Sequence, residues 1–144
     1  MVDIDLLKYL KKRLGEGAKT GNADDTIKVY EFFKQVASEN DELKEAVATV
    51  DLKGQVIITD IDRKFWFSHT GGNIEYGEGE IDGPDFTFLA TLPVFSEIIF
   101  GEKEGSKAFG AKELNIEGNV AKGIAYNNFI VHGLDLFGKL TADL

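Results

Sequence analysis

Over residues 3–14 the apolar positions Leu7, Leu10 and Leu14 recur at three- and four-residue spacing. Lys8, Lys11, Lys12 and Arg13 gather toward the end, and Gly15 follows. This predicts a short amphipathic helix whose basic end complements the helix dipole. A glycine-rich stretch, GEGAKTGNADD, comes next, with Asn22 placed as an N-cap and Asp24 and Asp25 in the first turn of a second helix. From Thr26 to Ala37, Val29, Phe32, Phe33, Val36 and Ala37 fall on one helical stripe, which Leu43, Ala46, Val47 and Val50 resume after the SEND break. Both pieces need a surface to cover.

The rhythm then shortens to two. QVIITDID and RKFWFSHT are dense in β-branched and aromatic residues and are joined through charges, as a hairpin is. GGNIEYGEGEIDGPD supplies a further short strand between glycines and a turn at residues 82–85. In the next strand Phe86, Phe88, Ala90 and Leu92 alternate onto one face, and Thr87, Leu89 and Thr91 onto the other. Pro93 sits where a first helical turn tolerates it, Phe95, Ile98 and Ile99 make an apolar ridge, and Gly101 closes that helix. GSKAFGAKE reads as another turn or two of helix, LNIEG as a last strand with Leu114 and Ile116 inward, and the remainder as a helical segment carrying Val120, Ile124 and Phe129. Gly123 lies inside that segment and weakens it by about 1 kcal/mol. The expected fold is α+β: an antiparallel-dominated sheet of about five strands with helices packed on one face. A division follows, with residues 1–22 forming the amphipathic helix and glycine-rich loop and residues 23–144 the main domain.

Composition narrows the function. The 144 residues are 43% hydrophobic, enough for one core, and 25 acidic residues against 16 basic leave a net charge of −9. Repulsion opposes non-specific binding to nucleic acid or to an anionic membrane surface. No run approaches a membrane span, so stable membrane insertion is not expected, and acids precede bases at the N-terminus, the reverse of a secretory signal. These features point to a cytoplasmic protein. The absence of cysteine removes disulfides, thiolate metal sites and a cysteine nucleophile.

Catalytic candidates are weak. Ser68 and His69 are neighbours on a strand and so face opposite ways. Asp60 and Asp62 share a face, but at a hairpin end, where acids cap or solvate a turn. His69 and His132 are the only histidines, so a zinc site would need carboxylates for most of its ligands. GEGEIDG lacks the Lys-Ser/Thr of a phosphate loop and carries acids that repel phosphate. The KKR run at residues 11–13 reads as a solvated, dipole-favoured helix end. Neither a catalytic residue, nor a metal, nor a cofactor is expected. What stands out is eleven Phe against one Met and one Trp. Large rigid rings on adjoining elements line an apolar pocket well.

The order of features in DGPDFTFLATLPVFSEIIFGEKEGSKAFGAKELNIEGN resembles the sterol carrier protein 2 family: an acidic turn, a strand with a central threonine, a helix, a glycine, Ala108-Phe109, Leu114-x-Ile116 and Gly118-Asn119. FWFSHTGGNIEYGEGE is similar to that family's aromatic strand, glycine turn and following strand, and the likeness spans roughly residues 28–130. The resemblance implies a non-catalytic domain whose sheet and helices enclose an apolar tunnel for a fatty acid, an acyl thioester, a sterol or a phospholipid. By position it places Phe86, Phe88, Leu92, Phe95, Ile98, Ile99, Leu114, Ile116 and Ile124 along the tunnel; periodicity adds Phe33, Phe65 and Phe67. The chain departs from the family at Gly110, Ala111 and Lys112, where the family often has a second aromatic and a glycine, and it ends TADL instead of in a peroxisomal address. Two alternatives stand beside the carrier. One is an interaction or regulatory module that fills the tunnel with its own side chains and assists a partner enzyme. The other is a small enzyme using Asp60, Asp62 or His69 at the tunnel mouth.

Overall fold

The computed structural model describes residues 2–144. Helices α1 (Ile4–Glu16), α2 (Asp25–Glu39) and α3 (Asp41–Thr49) precede strands β1 (Leu52–Ile58), β2 (Arg63–Thr70), β3 (Asn73–Glu78) and β4 (Phe86–Ala90). Helices α4 (Leu92–Ile99) and α5 (Gly105–Gly110), strand β5 (Asn115–Gly118) and helix α6 (Val120–Leu140) complete the chain. The five strands form one sheet in the order β3-β2-β1-β4-β5.

Three of the pairings are antiparallel, but β1 pairs with β4 in parallel, so the sheet is mixed. Gln55 explains how the chain returns to that position. Its amide nitrogen donates to the carbonyls of Phe65 at 2.8 Å and Gly79 at 2.9 Å, and its oxygen accepts from Ile81 N–H at 2.9 Å. The segment 79–85 is thereby stitched across the outer sheet face. Asp85 completes the link, its carboxylate accepting from Lys53 N–H at 2.8 Å as β4 begins.

The opposite face carries the helices. Register places Val56 between Phe65 and Phe88, and Gly54 between Phe67 and Phe86. The Phe67 ring occupies the space above Gly54, where a Cβ would lie 2.2 Å from Cζ. Helices α2, α3 and α6 pack over this face. Phe33 and Phe32 of α2 meet Phe129 and Phe137 of α6 in edge contacts at 5.5 and 5.2 Å. Gly133 admits the Phe33 ring, and Gly123 lets α6 descend onto Phe88 and Ile116, where an added Cβ would sit 3.3 and 3.2 Å away. The glycine that lowers helix propensity in α6 is what brings that helix against the sheet.

Helix boundaries differ from the sequence pattern where a cap intervenes. Leu92 is the first residue of α4 rather than the end of a strand: its N–H is accepted at 2.8 Å by the Asp60 carboxylate from the β1–β2 turn, and Pro93 pre-sets the first turn. Asn22 accepts from Asp24 N–H at 2.9 Å, and the helix starts two residues later than an Asn22 cap implies. Asn40 separates α2 from α3 and caps the latter, accepting from Leu43 N–H at 3.0 Å. The first helix buries Leu6, Leu7 and Leu10 in the common core.

Candidate functional site: an apolar cavity between the sheet and three helices

A cavity of about 130 Å³ lies between the inner sheet face and helices α4, α5 and α6, roughly ten times the room a single water requires. Its floor is Val56 and Phe88. Phe95, Ile98 and Ile99 come from α4, Leu114 and Ile116 from the approach to β5 and its edge, Ile124 and Ile130 from α6, and Tyr30 and Tyr126 reach in from α2 and α6. Gly105, Ser106, Phe109, Asn127 and Asn128 complete the wall. Ile124 and Phe109 are 47% and 39% exposed, and Ser106 and Asn128 are exposed beside them, so the mouth opens between α5 and α6 with apolar lips. An adjoining groove of about 440 Å³ shares Ile98, Gly105, Asn127 and Ile130 with the cavity and runs along α6 past Leu134 to Leu14 of α1.

The strand-and-helix pattern of residues 86–116 converges here. Phe88, Phe95, Ile98, Ile99, Leu114, Ile116 and Ile124 all line the cavity. Phe33, Phe65, Phe67, Phe86 and Leu92 do not. Tyr126 stacks on Phe67 with ring centres 3.7 Å apart and 11° between planes, and lies beside Phe86 at 6.3 Å, so these rings form the layer beneath the site. Phe33 is spent on the α2–α6 contact, Phe65 is fully buried in the core, and Leu92 is drawn into the α4 cap. Ala90 is buried but lies outside the lining. Strand and helix period identify which side faces inward; they do not separate a ring under another ring from one that meets open space. The tyrosines carry no such signal in the pattern, and Val56 is hidden inside a uniform QVII run.

The enzyme candidates take other positions. Asp60 caps α4 and Asp62 occupies a left-handed turn at φ 50°; neither lines the cavity. Ser68 and His69 face opposite sides of β2, as strand geometry requires. Among the described residues no group of three or more His, Asp or Glu side chains converges to hold a metal, and no helix is long and apolar enough to cross a membrane.

His69 is buried among aromatic rings, 4.9 Å from Phe129 and 5.5 Å from Tyr126 between centres. Burial lowers its pKa from 6.5 to about 4. Below pH 6.5 the unfolded chain takes up a proton that the folded chain refuses, so stability falls as pH drops toward 4. The loss is about 2 kcal/mol by pH 5. His69→Phe is expected to remove that part of the acid sensitivity; urea unfolding of both proteins at pH 7.5 and 5.0 measures it, and an equal loss in each would contradict the assignment.

A family model, the SCP-2 sterol transfer family, matches residues 33–131. The sec-alkylsulfatase Pisa1 from Pseudomonas sp. is 17% identical with a TM-score of 0.54, the match covering 69% of this chain and 15% of the sulfatase. The chain thus corresponds to a small part of that enzyme. UbiJ-SCP2, a ubiquinone synthesis protein, is 11% identical with a TM-score of 0.62 over 75% of this chain and 94% of its own. Palmitated SCP2L2 from Aedes aegypti is 16% identical with a TM-score of 0.54, covering 71% and 90%. At these identities the likeness establishes a shared fold. No curated protein matches the chain.

Proposed function

Because the chain belongs to the SCP-2 sterol transfer family, we propose that it is a non-catalytic carrier that binds a lipid in the cavity between the sheet and α4, α5 and α6, and transfers it to an acceptor in the cytoplasm. The observation that carries this reading is the apolar cavity with an apolar, solvent-facing mouth. The candidate ligands are a fatty acid or its thioester, a phospholipid or a sterol-like skeleton, each gaining about 0.8 kcal/mol per methylene removed from water. The palmitate of the mosquito relative supports an acyl chain. Seven residues expected from the sequence (Phe88, Phe95, Ile98, Ile99, Leu114, Ile116 and Ile124) are proposed as ligand contacts, joined by Val56, Tyr30 and Tyr126. At about 130 Å³ the cavity is smaller than the roughly 300 Å³ or more of typical ligand pockets. Loading a long chain therefore widens it toward the adjoining groove past Gly105 and Asn127.

That small volume favours one second reading: a module whose core is nearly filled and which assists a partner enzyme. The occurrence of this fold as 15% of a sulfatase chain supports it. Native mass spectrometry of the freshly purified protein beside its denatured mass, with extraction of any released molecule, separates the two. The carrier reading predicts a bound species of several hundred daltons with an acyl or polycyclic skeleton. A ligand-free mass that does not shift on adding fatty acids or acyl-CoA would overturn it in favour of the module.

A further inference from the structure

The chain has four tyrosines, and they divide by location. Tyr9 donates to the Asp25 carboxylate at 2.7 Å and Tyr76 to the Glu31 carboxylate, so both phenols outside the cavity are satisfied. Tyr30 and Tyr126 are 3% and 2% exposed and line the cavity. Among the described residues neither of their hydroxyls has a hydrogen-bonding partner. Among the described residues Thr26 Oγ1 is the one side-chain oxygen sealed off without a partner; Tyr30 and Tyr126 border open space, that of the cavity for both and a second pocket beside His69 and Phe129 for Tyr126. They come from different helices, yet both rings pack on Phe67, at 5.6 and 3.7 Å between centres. Burial raises both pKa values, so both remain protonated donors through the neutral range.

A phenylalanine at either position would fill the same space without stranding a hydroxyl away from water, which is costly. Two such phenols on buried residues of the lining, in contrast to the exposed Ile124 and Phe109 at the mouth, mark a polar spot inside an apolar wall. No charged side chain is among the cavity's lining residues, so a carboxylate or phosphate seated there would be uncompensated. We propose that Tyr30 and Tyr126 form a polar inner end that receives a neutral hydroxyl or carbonyl group of an otherwise apolar ligand, which enters that end first. The inference rests on the lipid-carrier reading and narrows it, selecting neutral polar lipids over a hydrocarbon and over an anionic head of equal length.

Displacement of a fluorescent acyl probe at pH 8 by 1-decanol, decanoate and hexylbenzene tests this on the wild type and on the Tyr30→Phe, Tyr126→Phe and doubly substituted proteins. Decanol is expected to bind the wild type more tightly than decanoate. It should lose about fivefold for each hydroxyl removed, while hexylbenzene binds all four proteins equally. The unliganded Phe variants should melt at higher temperature than the wild type, which guards against misreading a folding defect as lost affinity. With ¹³Cζ-labelled tyrosine, decanol should shift the Tyr30 and Tyr126 resonances and hexylbenzene should not. Unchanged decanol affinity in the double variant, or decanoate binding that is tighter than decanol and dependent on both tyrosines, would overturn the proposal while leaving the cavity reading intact. Failure of all three ligands to displace the probe, with Val56→Phe also without effect on it, would overturn both.

Discussion

Val56→Phe should give a folded protein that holds lipid about thirtyfold more weakly than the wild type. Val56 lies on the central strand with its side chain on the cavity floor, between Phe65 and Phe88 in the register and 2% exposed. A phenyl ring there grows into the open space, so the overpacking that costs about 1–3 kcal/mol in a filled core is largely avoided. The ring takes the place of about three ligand methylenes, a loss of about 2 kcal/mol. Ile57→Phe, on the next residue and therefore the opposite sheet face, is the matched control and should leave affinity unchanged. Titration with a fluorescent fatty acid checks both. Equal binding by wild type and Val56→Phe would mean that the lipid does not use this cavity.

Val56 on the cavity floor and Ala90 buried outside the lining show where sequence reasoning reaches its limit. Alternation assigns Phe86, Phe88 and Ala90 to the inner face, and they are there; helical spacing likewise puts Phe95, Ile98 and Ile99 on one ridge. The order of these elements was enough to identify the family. What alternation cannot supply is the third dimension above the sheet. Phe67 and Phe86 are removed from the site by a tyrosine that stacks over one and lies beside the other, and that tyrosine sits forty residues or more away in sequence on a helix that contains three glycines. The parallel β1–β4 pairing depends on Gln55, a buried amide within an apolar run, reaching across to Gly79 and Ile81. Period says which way Gln55 points; it does not say what it holds. The Asp60 cap on α4 is of the same kind, since the donor lies 32 residues downstream of its acceptor.

Arg13→Met should cost about 3 kcal/mol in urea unfolding, the largest stability loss expected from any single surface-helix change here. Asp25 opens α2 yet is only 1% exposed. Its carboxylate accepts from Arg13 Nε at 3.1 Å and Nη2 at 3.0 Å, with Tyr9 on the other oxygen at 2.7 Å. Removing the guanidinium leaves that carboxylate away from water with a single neutral donor. The pair itself need not stabilise the fold relative to apolar side chains, because bringing both charges out of water offsets much of their attraction. Arg13→Met combined with Asp25→Leu is therefore expected to recover most of the loss, within about 1 kcal/mol of the wild type, with the 41%-exposed Tyr9 turning to solvent. A double variant as unstable as the sum of the single ones would show that the two residues act independently and that α1 is held by Leu6, Leu7 and Leu10 alone. The stakes extend to binding, since Leu14 at the end of α1 lines the far side of the groove that adjoins the cavity. If the ion pair fixes α1, Arg13→Met should loosen that wall and weaken retention of long acyl chains more than short ones, whereas the double variant should retain both.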